Sequence, residues 1–150
     1  MPKQRDKIRM SDREIAAFLD SSKSLIVATL DKEGAPHLTT LWFVRQGDLI
    51  LFETYGSSQK IVNLRRDPRI AVMCEAGESY DELRGVSIKG KAEIVDAGPR
   101  LERLMTLIAA KHFSVPAPEQ LAALVANMTK KRVVVIVHPE KYLSWDHRKL

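Results

Sequence analysis

LILFETYGSSQKIVNLRRDPRIAVM, Leu49 to Met73, carries the reading of the fold. Leu49–Thr54 is a short apolar run with the composition of a strand. Thr54–Lys60 is small and polar. Ile61–Pro68 reads as a short helix: Ile61 and Leu64, three apart, bury one edge, and Pro68 stops it. Arg69–Glu75 returns to strand. Two readings of the polar junction stay open. It is a capped surface turn, or it is a phosphate site, in which Ser57 and Ser58 cap a helix whose free first amides bind an anion beside the charge of Lys60.

Upstream, Ser11 and Glu14 have the spacing of a capping box, and Ile15, Ala16, Phe18 and Leu19 give the helix that follows an apolar face. Ser24–Leu30 and His37–Val44 are strands joined by DKEGAP, where Gly34 is free to take a positive φ. RQGD joins the second strand to Leu49–Thr54, which makes two consecutive hairpins. Downstream, Gly85–Asp96 alternates with period two, and Gly90 marks a bulge or bend. The period then changes: Arg100–His112 and Pro118–Lys131 read as amphipathic helices. The strand RVVVIVHP and the tail EKYLSWDHRKL end the chain. Short antiparallel strands with a few helices predict a mainly β (α+β) architecture, a small barrel with flanking helices, rather than a parallel sheet.

The chain has 150 residues, enough for one domain with a real core. A single cysteine, Cys74, excludes an intramolecular disulfide and a cysteine-based metal site, and fits a reducing cytoplasm. No apolar h-region follows the charged N-terminus, and the apolar runs are too short to span a bilayer, so neither a signal peptide nor a membrane anchor is expected. Residues 1–10, with Lys3, Arg5, Lys7 and Arg9, are expected to be a disordered basic arm. The net charge of +5 favours an anionic partner, among them phosphorylated small molecules. A nucleic-acid partner is not expected: aromatic residues are 6% of the chain, and Trp42 and Phe43, being adjacent, point to opposite faces.

Catalytic signatures are absent: there is no P-loop, no dinucleotide-binding glycine pattern, no zinc-protease motif and no nucleophile elbow. His37, His112, His138 and His147 show no ligand spacing. Tyr55 and His37 are able to donate a proton but are read as structural. WDHRKL (Trp145–Leu150) either stacks its indole on a planar ring and holds an anion with Arg148, or is a packed indole with solvated charges.

In order along the chain, ATLDKEGAPHLTTLW, LILFETYGSSQKIVNLRRDPRIAVM and PEKYLSW resemble the pyridoxamine 5′-phosphate oxidase-like, FMN-binding split-barrel superfamily. The oxidase patterns F-Y-T-N-x-x-S-R-K and P-E-R-I-x-F-W place Phe52, Thr54, Ser58, Lys60 and Trp145 in register. The resemblance implies a six-stranded antiparallel split β-barrel, a homodimer with two cofactor sites between subunits, and a small-molecule substrate. It also implies that Thr39, Thr40, Leu41 and Trp42 line the cofactor ring. The phosphate falls to Thr54, Ser58 and Lys60, with Ser57 and Gln59 as further cofactor-binding candidates in the same turn. Trp145 flanks the site from the other subunit, and Arg84 and Arg148 lie on its rim. The chain departs from the oxidase at Thr39 and Gln59, where arginines are expected, and at Val44, where a lysine is. GESYDELRG lacks the substrate-phosphate motif, so vitamin B6 oxidation is not expected. The combination of SQK, RDPR, ELRGV and SWDHRKL resembles the branch associated with the deazaflavin coenzyme F-420. The reading is therefore an F-420-dependent oxidoreductase. FMN is the alternative cofactor, and a non-catalytic binder of flavin, haem or another tetrapyrrole is the alternative class.

Overall fold

Local signals in the sequence start most of the elements. The computed structural model describes every residue except Pro2. A short turn, α1 (Gln4–Lys7), precedes α2 (Asp12–Ser21). α2 begins in the expected capping box: the Glu14 amide donates to Ser11 Oγ at 3.2 Å, and the Ser11 amide donates to the Glu14 carboxylate at 2.6 Å. Phe18 and Leu19 are its buried edge.

The N-terminal segment differs from the disordered arm expected of it. The Asp146 amide donates to the Ile8 carbonyl at 2.7 Å. The Met10 amide donates to Ser144 Oγ at 3.0 Å in a buried contact, and the Met10 side chain joins the core. Charge counting alone hid this. Ile8 and Met10 are apolar, and backbone groups near the barrel rim need partners once they leave water.

Six strands follow: β1 (Ser24–Leu30), β2 (Pro36–Gln46), β3 (Leu49–Tyr55), then α3 (Gln59–Arg66), β4 (Arg69–Ala76) and β5 (Arg84–Val95). After α4 (Gly98–His112) and α5 (Pro118–Met128) comes β6 (Arg132–Asp146). Both hairpin turns use glycine at positive φ, Gly34 at 82° and Gly47 at 58°. The strands close in the order β1-β2-β3-β6-β5-β4, every pair antiparallel.

Leu25, Val27, Phe43, Phe52, Val72, Ile88 and Val135 fill the barrel. A second apolar layer lies outside it, where α4 and α5 cover β3 and β6: Leu51, Val134 and Ile136 meet Met105, Ile108 and Val125. Residues 133–137 are therefore buried on both faces, which is why they form an unbroken apolar run rather than an alternating one.

Two boundaries move from their expected places. β6 does not stop at Pro139 but runs on to Asp146, paired with β5 throughout, with a register shift at Lys89/Gly90. A Cβ on Gly90 would strike the His138 carbonyl, so the bulge requires glycine there. α5 ends at Met128, three residues before the expected Lys131, and leaves Thr129–Lys131 as a turn.

The pairing of β2 creates the split. It matches β1 from Pro36 to Trp42, but β3 only from Phe43 to Gln46. Towards the start of β2 the sheet opens, and α3 packs at that end: Asn63 Nδ2 donates to Thr29 Oγ1 at 3.0 Å, both residues buried.

Candidate functional site

The opening between β2 and β3 gathers the polar residues of the TYGSSQK turn. Thr54 is the last inward residue of β3, and Lys60 lies in the first turn of α3. Both are buried, 6% and 8% exposed. Lys60 Nζ donates to Thr54 Oγ1 at 3.2 Å, and Thr54 Oγ1 donates on to Ser58 Oγ at a long 3.4 Å. Lys60 makes no ion pair with any described residue. Burial pushes its pKa down, and the nearby Glu53 carboxylate only partly opposes that.

The serines do not cap α3 as expected. Ser58 stands at the N-cap position, but no side chain caps the helix, so its first amides lack a side-chain acceptor. Ser57 is exposed. Gln59 turns along the helix instead, donating to Asn63 Oδ1 at 2.8 Å. A buried ammonium beside uncapped helix amides makes a cradle chemically able to receive an oxyanion.

Across the split, β2 alternates. Leu41 packs on the core, while Thr40 and Trp42 face outward and are exposed. Thr39 Oγ1 and His37 Nδ1 are buried with no hydrogen-bond partner among the described residues. Trp42 stacks on His112 with ring centroids 5.0 Å apart and meets Phe113 edge-on at 5.9 Å. The His112 ring lies 2.6 Å from the Phe43 carbonyl, and burial holds its pKa below the ordinary value. That contact needs the proton on Nε2, so the neutral ring donates there.

The remaining expected residues lie elsewhere in the chain. Thr54 pairs with Val133 and Trp145 with Gly85, so the two groups occupy opposite ends of β6. Twelve residues separate them, roughly 40 Å along a straight strand. Arg148 grips the Asp146 carboxylate at 2.9 and 2.7 Å and holds it below the usual range. Arg84 lies over the Phe18 ring at 5.3 Å. One chain thus brings Thr54, Ser58 and Lys60 together with β2, and does not bring Trp145, Arg84 or Arg148 to them.

Sequence reasoning missed two supports. Asn63 is fully buried and ties Thr29, Gln59 and Arg66 together. Arg132 donates to Glu53 at 2.9 Å and to the Tyr55 hydroxyl at 3.1 Å, and its guanidinium lies 4.6 Å from that ring. The signal for the second was the β3–β6 pairing, which is not visible before the barrel closes. No group of His, Cys, Asp or Glu among the described residues is arranged to hold a metal.

The sequence model for pyridoxamine 5′-phosphate oxidase matches residues 11–146. The chain belongs to the pyridoxamine 5′-phosphate oxidase family. Among solved structures, this family member is similar to the conserved hypothetical protein Rv2991 from Mycobacterium tuberculosis, at 42% identity and a TM-score of 0.90, over 99% of this chain and 92% of that one. Its fold is shared by HutZ, the heme storage protein from Vibrio cholerae (16% identity, TM-score 0.67, 87% and 90% covered). It is also shared by a protein described as F420 reductase (18%, TM-score 0.63, 95% and 98% covered). No curated protein matches the chain. No described helix of this oxidase-family protein is long and apolar enough to cross a membrane.

Proposed function

We propose that this protein is an oxidoreductase that binds coenzyme F-420 in the split between β2 and β3. The observation that carries the reading is Lys60: a buried ammonium, without an ion-pair partner among the described residues, at the uncapped start of a helix. Such a group is stabilised by a bound anion and costs stability without one.

The residues present fit a phosphate-bearing, planar cofactor. Lys60, Thr54 and the first amides of α3 would hold the phosphate. Thr39 Oγ1 and His37 Nδ1, the orphaned polar atoms of β2, offer hydrogen-bonding capacity along the split. When bound, the deazaflavin supplies hydride chemistry towards an electron-poor double bond or carbonyl of a small organic substrate. The protein's part is to bind, orient and keep water out, and no side chain is assigned as acid or base. Two features favour F-420 over FMN. Gln59 is neutral where the oxidase pattern has an arginine, and its amide is occupied by Asn63. The exposed arginines Arg65 and Arg66 at the end of α3 add positive charge near the phosphate end that suits the more anionic cofactor.

The working unit is a homodimer in this reading. Trp145, Arg84 and Arg148 sit far from the cradle of their own chain, and a second copy would bring them to it. The apolar outer face of β1, β2 and β4 is the surface on which that copy docks. The single cysteine, Cys74, is buried, and that burial pushes its thiol pKa up to about 12, which leaves it unreactive.

The test is a titration of the purified protein with F-420 and with FMN, followed by fluorescence quenching. Saturable F-420 binding is expected, and Lys60→Ala should weaken it by about 10- to 150-fold, as for a lost charge-assisted contact of roughly 1.5–3 kcal/mol. Binding of FMN alone, or an unchanged affinity in the variant, would overturn the assignment.

A further inference from the structure

Beside the cradle lies a separate cavity of about 420 Å³, between the end of α5, the loop after α4 and the tip of β3. Its lining combines apolar and aromatic residues, Tyr55, Phe113, Leu124 and Met128, with three cations, Lys130, Lys131 and Arg132. Its chemistry follows from how the chain folds here. Because α5 stops at Met128, Lys130 and Lys131 leave the helix in a turn, and the Gly56 amide pins that turn to the cradle by donating to the Lys131 carbonyl at 2.9 Å.

The three cations differ. Arg132 is engaged, bridging Glu53 and Tyr55, so it fixes the Tyr55 ring in place. Lys130 and Lys131 are exposed and make no ion pair with any described residue. In the same lining, Phe113 is 38% and Tyr55 51% exposed. Exposed aromatic residues lining one concave surface mark a binding site more often than a solvated face, and their ring faces offer stacking area to a flat partner. The edge-on contact of Phe113 with Trp42 joins this wall to the outer face of β2.

We propose that this cavity binds a small planar aromatic compound bearing a carboxylate or sulfonate, its ring against Phe113 and Tyr55 and its anionic group at Lys130 and Lys131. Binding of such a compound stands by itself. That the compound is the substrate class rests on the cofactor lying in the adjoining split.

The test uses 2-naphthoate as the probe and 2-naphthylmethanol as its uncharged counterpart, titrated calorimetrically into the full chain at low salt. Saturable naphthoate binding is expected. The double variant Lys130→Gln/Lys131→Gln should weaken naphthoate about tenfold or more and leave the alcohol unchanged, and Phe113→Ala should weaken both. No saturable binding, or affinities unmoved in both variants, overturns the proposal. The same variants are titrated with F-420, and Lys60→Ala with naphthoate. A parent protein that binds F-420 but not naphthoate sinks the cavity alone. Naphthoate bound while neither F-420 nor FMN binds sinks the cofactor reading alone.

Discussion

The indole of Trp145 lies over the Cα of Gly85, its cross-strand partner. A Cβ at residue 85 would fall against Cζ2 and Cε2 of the ring. Glycine is therefore required by the indole and not by the backbone, whose φ is not positive. Gly85→Ala must displace Trp145, at a cost of roughly 1–3 kcal/mol, the usual range for overpacking. Gly56→Ala is the control: its Cβ would meet Val133 Cγ1 at 3.4 Å, so its cost should stay within about 1 kcal/mol. Urea denaturation measures both, and tryptophan emission should shift only in the first. Equal stabilities for the two variants would show that Trp145 has another place to go.

Met10 and Ser144 give a second measurement. Ser144→Ala leaves the buried Met10 amide without its acceptor, a loss of about 1–3 kcal/mol. The denaturation midpoint should fall with the slope unchanged, because the barrel itself persists. A variant as stable as the parent would mean that the N-terminal segment lies free in solution.

The barrel was legible because its hairpins are local. DKEGAP and RQGD carry their turn chemistry within a few residues, and short runs of β-forming residues flank them on either side. The polar turn with Lys60 was legible for the same reason. What needed the fold was every relationship made by distant pairing. Arg132 reaches Tyr55 only because β6 lies beside β3, and Ile8 meets Asp146 only because the barrel's far rim folds back on the N-terminus. Ser57 and Ser58 show the limit of local rules: the spacing fits a cap, yet Ser58 Oγ accepts from Thr54 instead. Trp145 fell in register with the oxidase pattern, but register says nothing of which end of the barrel a residue occupies.

Lys60 links function to stability through pH. Its folded-state pKa lies below the ordinary lysine value of 10.5, with burial the main cause. At neutral pH both folded and unfolded chains carry the charge, and the folded state bears the full cost of burying it. As pH rises through the folded pKa towards 10.5, the unfolded chain holds the proton longer, so this group's contribution to stability rises. Lys60→Met removes the buried charge. Without ligand, the variant should be at least as stable as the parent at neutral pH, and the difference should shrink as pH approaches about 10. With cofactor added, the parent should gain thermal stability and the variant should not. A variant destabilised at neutral pH would show that Thr54 and its neighbours already satisfy the ammonium.

The proposed dimer is testable on one sheet face. Outward residues at the centre of β1, β2 and β4 are mostly apolar: Ala28 lies between Leu38 and Ala71, and Ile26 lies between Thr40 and Met73. Leu38 is 64% exposed in the single chain. A lysine in the middle of such a face would have to be buried without a partner if two copies docked there, which is strongly unfavourable. Met73→Lys should therefore yield a monomer of one 16.9 kDa chain by light scattering, where the parent has about twice that mass. Since Met73 faces away from the barrel core, the variant should keep its fold, checked by far-UV circular dichroism. If Trp145 completes the partner's site, the monomer should also lose cofactor affinity while Lys60 and Thr54 stay intact. A parent protein that is itself monomeric at micromolar concentration, or a monomeric variant that binds cofactor as tightly as the parent, would confine the site to one chain.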